Sequence, residues 1–293
     1  MEKDSGVGEE EYTSYEPEDS VPRDDAVNGG FVPVIVITGA SSGIGEAIAL
    51  QYASSRACQL VLAARSRDKL KAVAIKCRKL GCEVAIIPTD VSKPKQCKFL
   101  IKETIRIFGR LDYLVLNAGV SMHIAFEELK DLEIFHKLID TNYFGYVYTT
   151  HFALPFLRKS PQPKIVVIGS LSGETGVPLR TGYCGSKFAV NGFFEALRTE
   201  LGPAVPITIV SPGYVDTEIR QNAYGPKDFN PASGGMMSPK RCAELIVEAA
   251  DQRRRKVVLT LSGKLAYALR PFVPDIIDML VKRKAHQKKK AAL

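Results

Sequence analysis

Seven short apolar runs are strung along this chain, with helix-length segments between them. They fall at residues 34–38, 59–64, 83–88, 111–117, 164–170, 206–211 and 256–259. The runs are rich in β-branched side chains and show little polar alternation, which is the pattern of strands covered on both faces. Strand–helix units repeated in this way build a parallel, doubly wound α/β (Rossmann) sheet with right-handed crossovers. A length of 293 residues with 45% apolar side chains suits one sizeable domain of that kind. In such sheets ligands bind outside the carboxyl ends of the strands. Thr38, Ala64, Asp90, Asn117, Ser170 and Ser211 lie at or just past those ends. The topology therefore gathers them on one edge.

Two stretches carry chemistry. The first apolar run continues as Thr38-Gly39-Ala40-Ser41-Ser42-Gly43-Ile44-Gly45, and Glu46 to Tyr52 is helix-compatible. Glycines where a strand turns into a helix let backbone N–H groups and the helix N-terminus face a pyrophosphate. The spacing G-x-G-x-x-G is not met literally, because Ile48 holds the last place. The second stretch, Tyr183-Cys184-Gly185-Ser186-Lys187, opens a helix-patterned segment at 183–201. Positions four apart share a helix face, so the phenol and the ammonium point into one space. A phenol with a pKa of about 10 is too weak an acid for work near neutrality. A fixed cation beside it favours the phenolate and brings that value down.

Taken in order, these motifs resemble those of the short-chain dehydrogenases/reductases, over about residues 34–261. The resemblance implies a nicotinamide cofactor held by Gly39, Ser41, Ser42, Gly43, Ile44 and Gly45 of the loop. Asp90 and Val91 would take the adenine side. Asn117, Ala118 and Gly119 end the fourth strand, and Pro212, Gly213, Val215 and Thr217 would lie beside the nicotinamide. Asn142, Ser170, Tyr183 and Lys187 fall where the family keeps its catalytic tetrad, with Tyr183 and Lys187 also touching the cofactor. In that tetrad Ser170 hydrogen-bonds a carbonyl oxygen and Tyr183 transfers the proton. Lys187 lowers the Tyr183 pKa and holds the ribose, while Asn142 bends its helix and holds a water on a proton path.

The end of the second strand, Ala64-Arg65-Ser66-Arg67, bears on the cofactor. A site for NAD places a carboxylate there, on the ribose 2′-hydroxyl. Ala64 stands in that place, followed by Arg65 and Ser66. A guanidinium clamps a 2′-phosphate with charge-assisted bonds, so NADP(H) is expected. Ser42, where some NADP members carry a basic residue, runs against it. The stretches 168–171 and 186–194 resemble the 11-beta-hydroxysteroid dehydrogenase-like branch. The segment from Pro212 to Thr217 and the basic C-terminus resemble its dehydrogenase/reductase member 7-type proteins. Gly169 replaces the serine usual there, and an acidic tail stands where that branch carries a hydrophobic anchor. The implied activity is hydride transfer between NADP(H) and a ketone or secondary alcohol of a bulky apolar substrate such as a steroid, retinoid or lipid. The alternative is a catalytically quiet NADP(H)-sensing binding protein that keeps the fold.

Other chemistries lack their patterns. Gly169-Ser170-Leu171-Ser172-Gly173 has Leu171 where a hydrolase elbow needs serine. His123, His136, His151 and His286 show no metal-ligand spacing. The six cysteines form no Cys-x-x-Cys pair, and a reduced compartment is expected. Cys184, beside Tyr183, reads as a small helix residue or as an oxidation-sensitive thiol.

Charge divides the chain into an acidic tail (1–30), a catalytic domain (31–260) and an extension (261–293). The tail carries a net −8 and the remainder +16; so charged and apolar-poor a tail is expected to be disordered. No nucleic-acid motif accompanies the positive charge, which sits mostly at the chain's end. Residues 221–238, with Tyr224, Phe229, Met236 and Met237, read as a substrate lid or a plain surface loop. Residues 261–281 are apolar but broken by Pro271, Pro274, Asp275 and Asp278, so they cannot span a bilayer. With six basic residues after them they read as an interfacial membrane segment, or as a dimer or packing element. The expected setting is a homodimer on the cytosolic side of an intracellular membrane, such as the endoplasmic reticulum, or in the cytoplasm.

Overall fold

The apolar runs become strands β1 (Val34–Thr38), β2 (Gln59–Ala64), β3 (Glu83–Pro88), β4 (Tyr113–Leu116), β5 (Lys164–Ile168), β6 (Ile207–Ser211) and β7 (Lys256–Val258). In the computed structural model, which describes residues 30–220, 223–225 and 236–290, they form one parallel sheet. Its order is β3-β2-β1-β4-β5-β6-β7. The acidic tail, apart from residue 30, and most of 221–238 lie outside the described residues. Four strands, β4 to β7, are shorter than their apolar runs. Asn117, Gly169 and Ser170 lie just past the ends of β4 and β5.

Helices α1 (Gly43–Ser55), α2 (Arg67–Arg78), α3 (Pro94–Phe108), α4 (Glu133–Ile139), α5 (Gly145–Leu157), α6 (Thr181–Leu201), α7 (Pro239–Asp251), α8 (Leu261–Leu269) and α9 (Pro274–Lys290) complete the chain. Alternate strand residues feed two cores. Ile35 and Ile37 pack with Ile48 and Tyr52 of α1, Leu70 of α2 and Ile246 of α7. Val34 and Val36 pack with Leu100 of α3, Tyr146 of α5 and Phe194 of α6 on the other face. This two-sided cover explains why the runs lack polar alternation. Each fully buried Val or Ile contributes about 1.5–3 kcal/mol.

Strand order reverses between β1 and β4, and the crevice opens there, above their carboxyl ends. α7 begins at Pro239 with the Ser238 hydroxyl accepting from the Arg241 amide at 3.2 Å, as its Ser-Pro start requires. α8, α9 and the turn between them leave large apolar side chains exposed, including Leu261 (84%), Leu265 (60%) and Phe272 (80%). Among the described residues no helix is long and apolar enough to cross a membrane.

Candidate active site

A cleft of about 680 Å³ lies along the carboxyl edge of the sheet. Its floor is the loop between β1 and α1. Gly39 and Gly43 hold φ near 66° and 60°, the left-handed region that a side chain resists. A Cβ at Gly45 would stand 2.2 Å from the Gly39 carbonyl oxygen, so the loop folds on itself only with glycine there. The loop is tied to β4. Thr38 Oγ1 accepts from the Asn117 amide at 3.0 Å, and Asn117 Nδ2 donates to the carbonyls of Thr38 at 3.0 Å and Gly39 at 3.1 Å. Ser42 precedes α1 but makes no side-chain cap, leaving the first-turn N–H groups directed at the cleft. Ser121 Oγ is buried, lines the cleft and has no hydrogen-bond partner among the described residues. A backbone nest at a helix N-terminus and an orphaned hydroxyl fit a dinucleotide pyrophosphate and a polar ligand group.

Of the cofactor residues read from the sequence, all but Gly45 line this cleft; Gly45 lies behind the loop. Asp90 caps its own turn, its carboxylate accepting from the Ser92 amide at 3.0 Å and hydroxyl at 2.8 Å. Val91 fills the space against Gly145, where a Cβ would come within 2.7 Å. At the far end Arg65 and Ser66 are exposed. The structure adds Lys69, one helical turn on, which sequence reading missed. It also lines the cleft, and its Nζ pairs with Glu218 at 2.9 Å. That exposed pair is worth about 0–1 kcal/mol, so Lys69 is free to turn toward a phosphate.

Ser170, Tyr183 and Lys187 converge at the other end. Ser170 sits just past β5, where its hydroxyl accepts from the Ser172 amide at 3.1 Å and bonds the Tyr183 phenol. Lys187 is buried, its Nζ donating to the Ile168 carbonyl at 2.9 Å and lying 3.4 Å from Tyr146 Oη. Asn142 lies outside the cleft wall, fully buried in a π-helical turn, Asp140–Phe144, between α4 and α5. Its Nδ2 donates to the Val120 carbonyl and to Ser186 Oγ, both at 2.9 Å, and its Oδ1 accepts from the Val120 amide at 2.8 Å. The bend expected at Asn142 is this π turn.

The electrostatics differ from the sequence expectation. Burial raises the Tyr183 pKa, and the influences that lower it are Arg180 and then the Ser170 hydrogen bond. Lys187 is itself brought down from 10.5 to about 7 by burial. Its charge is therefore weakened in the protein without ligand. The Cys184 thiol is pushed up by burial, which keeps it protonated and unreactive.

Two further features escaped the sequence. A Cβ at Gly169 would crowd Ser211 Oγ at 3.1 Å and the Val210 carbonyl at 3.2 Å, so a larger residue fits only if these neighbours give by a few tenths of an ångström. Buried Glu174 anchors the turn after Ser170. It accepts from Ser211 Oγ at 2.7 Å and Asn191 Nδ2 at 3.0 Å and pairs with Lys256 at 2.9 Å. Among the described residues no group of His, Cys, Asp and Glu could hold a metal.

A family model described as short chain dehydrogenase matches residues 33–227. The chain is 38% identical over 256 residues to 11-beta-hydroxysteroid dehydrogenase A of Sesamum indicum, covering 84% of this chain and 73% of that protein. It is 42% identical over 250 residues to 11-beta-hydroxysteroid dehydrogenase-like 3 of Arabidopsis thaliana, covering 84% and 79%. An alcohol dehydrogenase of the archaeon Thermococcus sibiricus, complexed with 5-hydroxy-NADP, is 31% identical with a TM-score of 0.69, covering 78% and 96%. A short chain dehydrogenase/reductase of Burkholderia phymatum in complex with NAD is 26% identical with a TM-score of 0.75, covering 84% and 95%.

Proposed function

The chain belongs to the short-chain dehydrogenase/reductase family of oxidoreductases, and on that premise we propose that it is NADP(H)-dependent and acts on the ketone or secondary alcohol of a bulky apolar substrate. The observation that carries this reading is the convergence of Ser170, Tyr183 and Lys187 at one end of a cleft whose other end presents Arg65 and Lys69. Ala64 ends β2 between them without a carboxylate. Two cations, one of them in an exposed pair with Glu218, and no carboxylate at the end of β2 suit a 2′-phosphate better than a free 2′-hydroxyl. Val120, Ile168 and Tyr214 line the cleft near Ser170 and Tyr183 and suit an apolar substrate body, and relatives 38–42% identical carry hydroxysteroid dehydrogenase names.

When bound, the nicotinamide supplies the hydride in reduction and takes it in oxidation. The chain's own groups handle the oxygen and the proton. Ser170 donates a hydrogen bond to the carbonyl oxygen. Tyr183 gives its phenolic proton to that oxygen as the carbon–oxygen double bond becomes single, and recovers it in the reverse direction. Lys187, brought to about 7 by burial, would hold the ribose hydroxyls and can exchange protons at neutral pH. The Asn142 turn, bonded to Ser186 beneath Tyr183, keeps a path open for a water that passes protons outward.

The extension adds a location. Exposed apolar residues of α8 and α9, followed by Lys282 and Arg283, support peripheral contact with an anionic leaflet facing the cytosol. The deciding experiment mixes the protein with NADPH and a panel of ketosteroids, retinal, long-chain ketones and quinones. Consumption of NADPH with at least one apolar carbonyl is expected. NADPH binding with no turnover across the panel would leave a cofactor-sensing protein instead.

A further inference from the structure

Arg180 has no part in the mechanism above, yet the fold aims it at the reacting end of the cleft. It lies three residues before Tyr183 as the N-cap of α6 and lines the cleft with Ser170 and Tyr183. The preceding residue, Leu179, holds φ at 66°. A left-handed conformation is costly for a non-glycine residue and persists where surroundings hold it. Here the Leu179 carbonyl accepts from the Ile124 amide at 3.0 Å. That turn carries the Arg180 guanidinium to 5.5 Å from the ring centroid of Tyr183 and 5.5 Å from that of Tyr214. Its Nη2 also donates to His123 Nε2. An arginine offers no acceptor, so His123 presents a lone pair there. His123 is buried, and its amide donates to the Tyr224 carbonyl at 2.8 Å. Among the described contacts of Arg180 no carboxylate neutralises it.

We propose that Arg180 is a positioning residue that sets the acidity of Tyr183, with His123 and Tyr214 holding its guanidinium beside the phenol. The inference rests on Tyr183 being the proton carrier. The groups facing Tyr183 are few. Lys187 and Cys184 lie on its own helix, Ser170 at the end of β5, Tyr146 on α5, His123 after β4 and Tyr214 after β6. Lys187 is engaged by the Ile168 carbonyl and Tyr146, and its burial favours the neutral amine. A guanidinium is charged at any working pH. A cation within about 4–6 Å lowers an acid's pKa by roughly 1–3. In alcohol oxidation the phenolate accepts the proton, so activity rises as pH passes the Tyr183 pKa. In carbonyl reduction the phenol donates it, and activity falls there.

The test reads the phenol itself. Wild type, Arg180→Met, Arg180→Gln and Arg180→Lys are isotope-labelled at the tyrosine ring carbon bearing oxygen. Tyr183→Phe assigns the Tyr183 resonance, and each protein is titrated by NMR both free and with NADP⁺. The neutral variants should titrate about one pH unit or more above wild type, and Arg180→Lys between the two. Because the free protein needs neither cofactor nor substrate, the result stands even if NADP⁺ proves not to bind. Coincident midpoints for wild type and a folded neutral variant would overturn the proposal. So would a wild-type Tyr183 that ionises in neither state while the protein is folded, or an effect of the neutral variants confined to substrate KM.

Discussion

Replacing Lys187 by methionine should stabilise the protein without ligand, and more so at low pH. Lys187 is buried, and its pKa falls from 10.5 to about 7 on folding. One pH unit of displacement corresponds to about 1.4 kcal/mol, so the cost of burying the charged form is about 3–5 kcal/mol. Because the folded-state value is the lower one, the unfolded chain binds more protons between pH 7 and 10.5. Stability therefore rises with pH across that window. The cost is fully present below the folded-state pKa and vanishes above the unfolded one. Methionine keeps most of the volume and cannot charge. Its loss of a donor leaves no orphan, since the Ile168 carbonyl also accepts from Tyr146 Oη at 3.1 Å. Urea unfolding of wild type and Lys187→Met at pH 6 and again near pH 10 measures the effect as a double difference. Contributions of the buried tyrosines and cysteines cancel in it. The variant should be more stable by about 3–5 kcal/mol at the acidic end, and that advantage should shrink toward the alkaline end. An advantage that stays constant with pH would refute the burial of a neutral lysine.

Three other outcomes follow from the site and the extension. Tyr183→Phe should leave folding and cofactor affinity near wild type and reduce turnover by about 10²–10⁴-fold, the usual share of a positioned acid; near-normal turnover on a verified substrate would remove Tyr183 from the mechanism. Arg65→Ala should weaken NADPH binding by about 1.5–3 kcal/mol, the worth of bonds to a charged group, and barely change NADH binding; fluorescence titration with both cofactors decides it, and equal losses would speak against a 2′-phosphate site. Deleting residues 281–293 should weaken flotation with anionic vesicles and blunt its salt dependence, at about 1 kcal/mol per basic residue. Intact protein that stays soluble with anionic lipid at low salt would make α8 and α9 packing or dimerisation elements.

The chain's local patterns determined a good deal. Three of the seven strands begin and end where the apolar runs do, because strands buried on both faces need unbroken apolar side chains, and composition records that directly. The cofactor loop was legible because only glycine tolerates its left-handed φ values and the contact between Gly45 and Gly39. Tyr183 and Lys187 were legible because helix geometry alone puts them on one face.

What only the tertiary structure decided are quantities set by residues distant in sequence. The lysine that the sequence cast as Tyr183's cation is buried between Ile168 and Tyr146, and burial takes away much of its charge. Arg180 becomes the phenol's neighbour through the left-handed turn at Leu179 and through His123, which is supplied from beyond β4. Lys69 joins Arg65 only because the first turn of α2 faces the cleft. The crowding that a side chain in place of Gly169 would meet comes from Ser211 and Val210 of β6. Backbone conformation and side-chain periodicity are local, and one strand of residues specifies them. Electrostatic field, desolvation and available space are sums over neighbours that only the folded chain assembles.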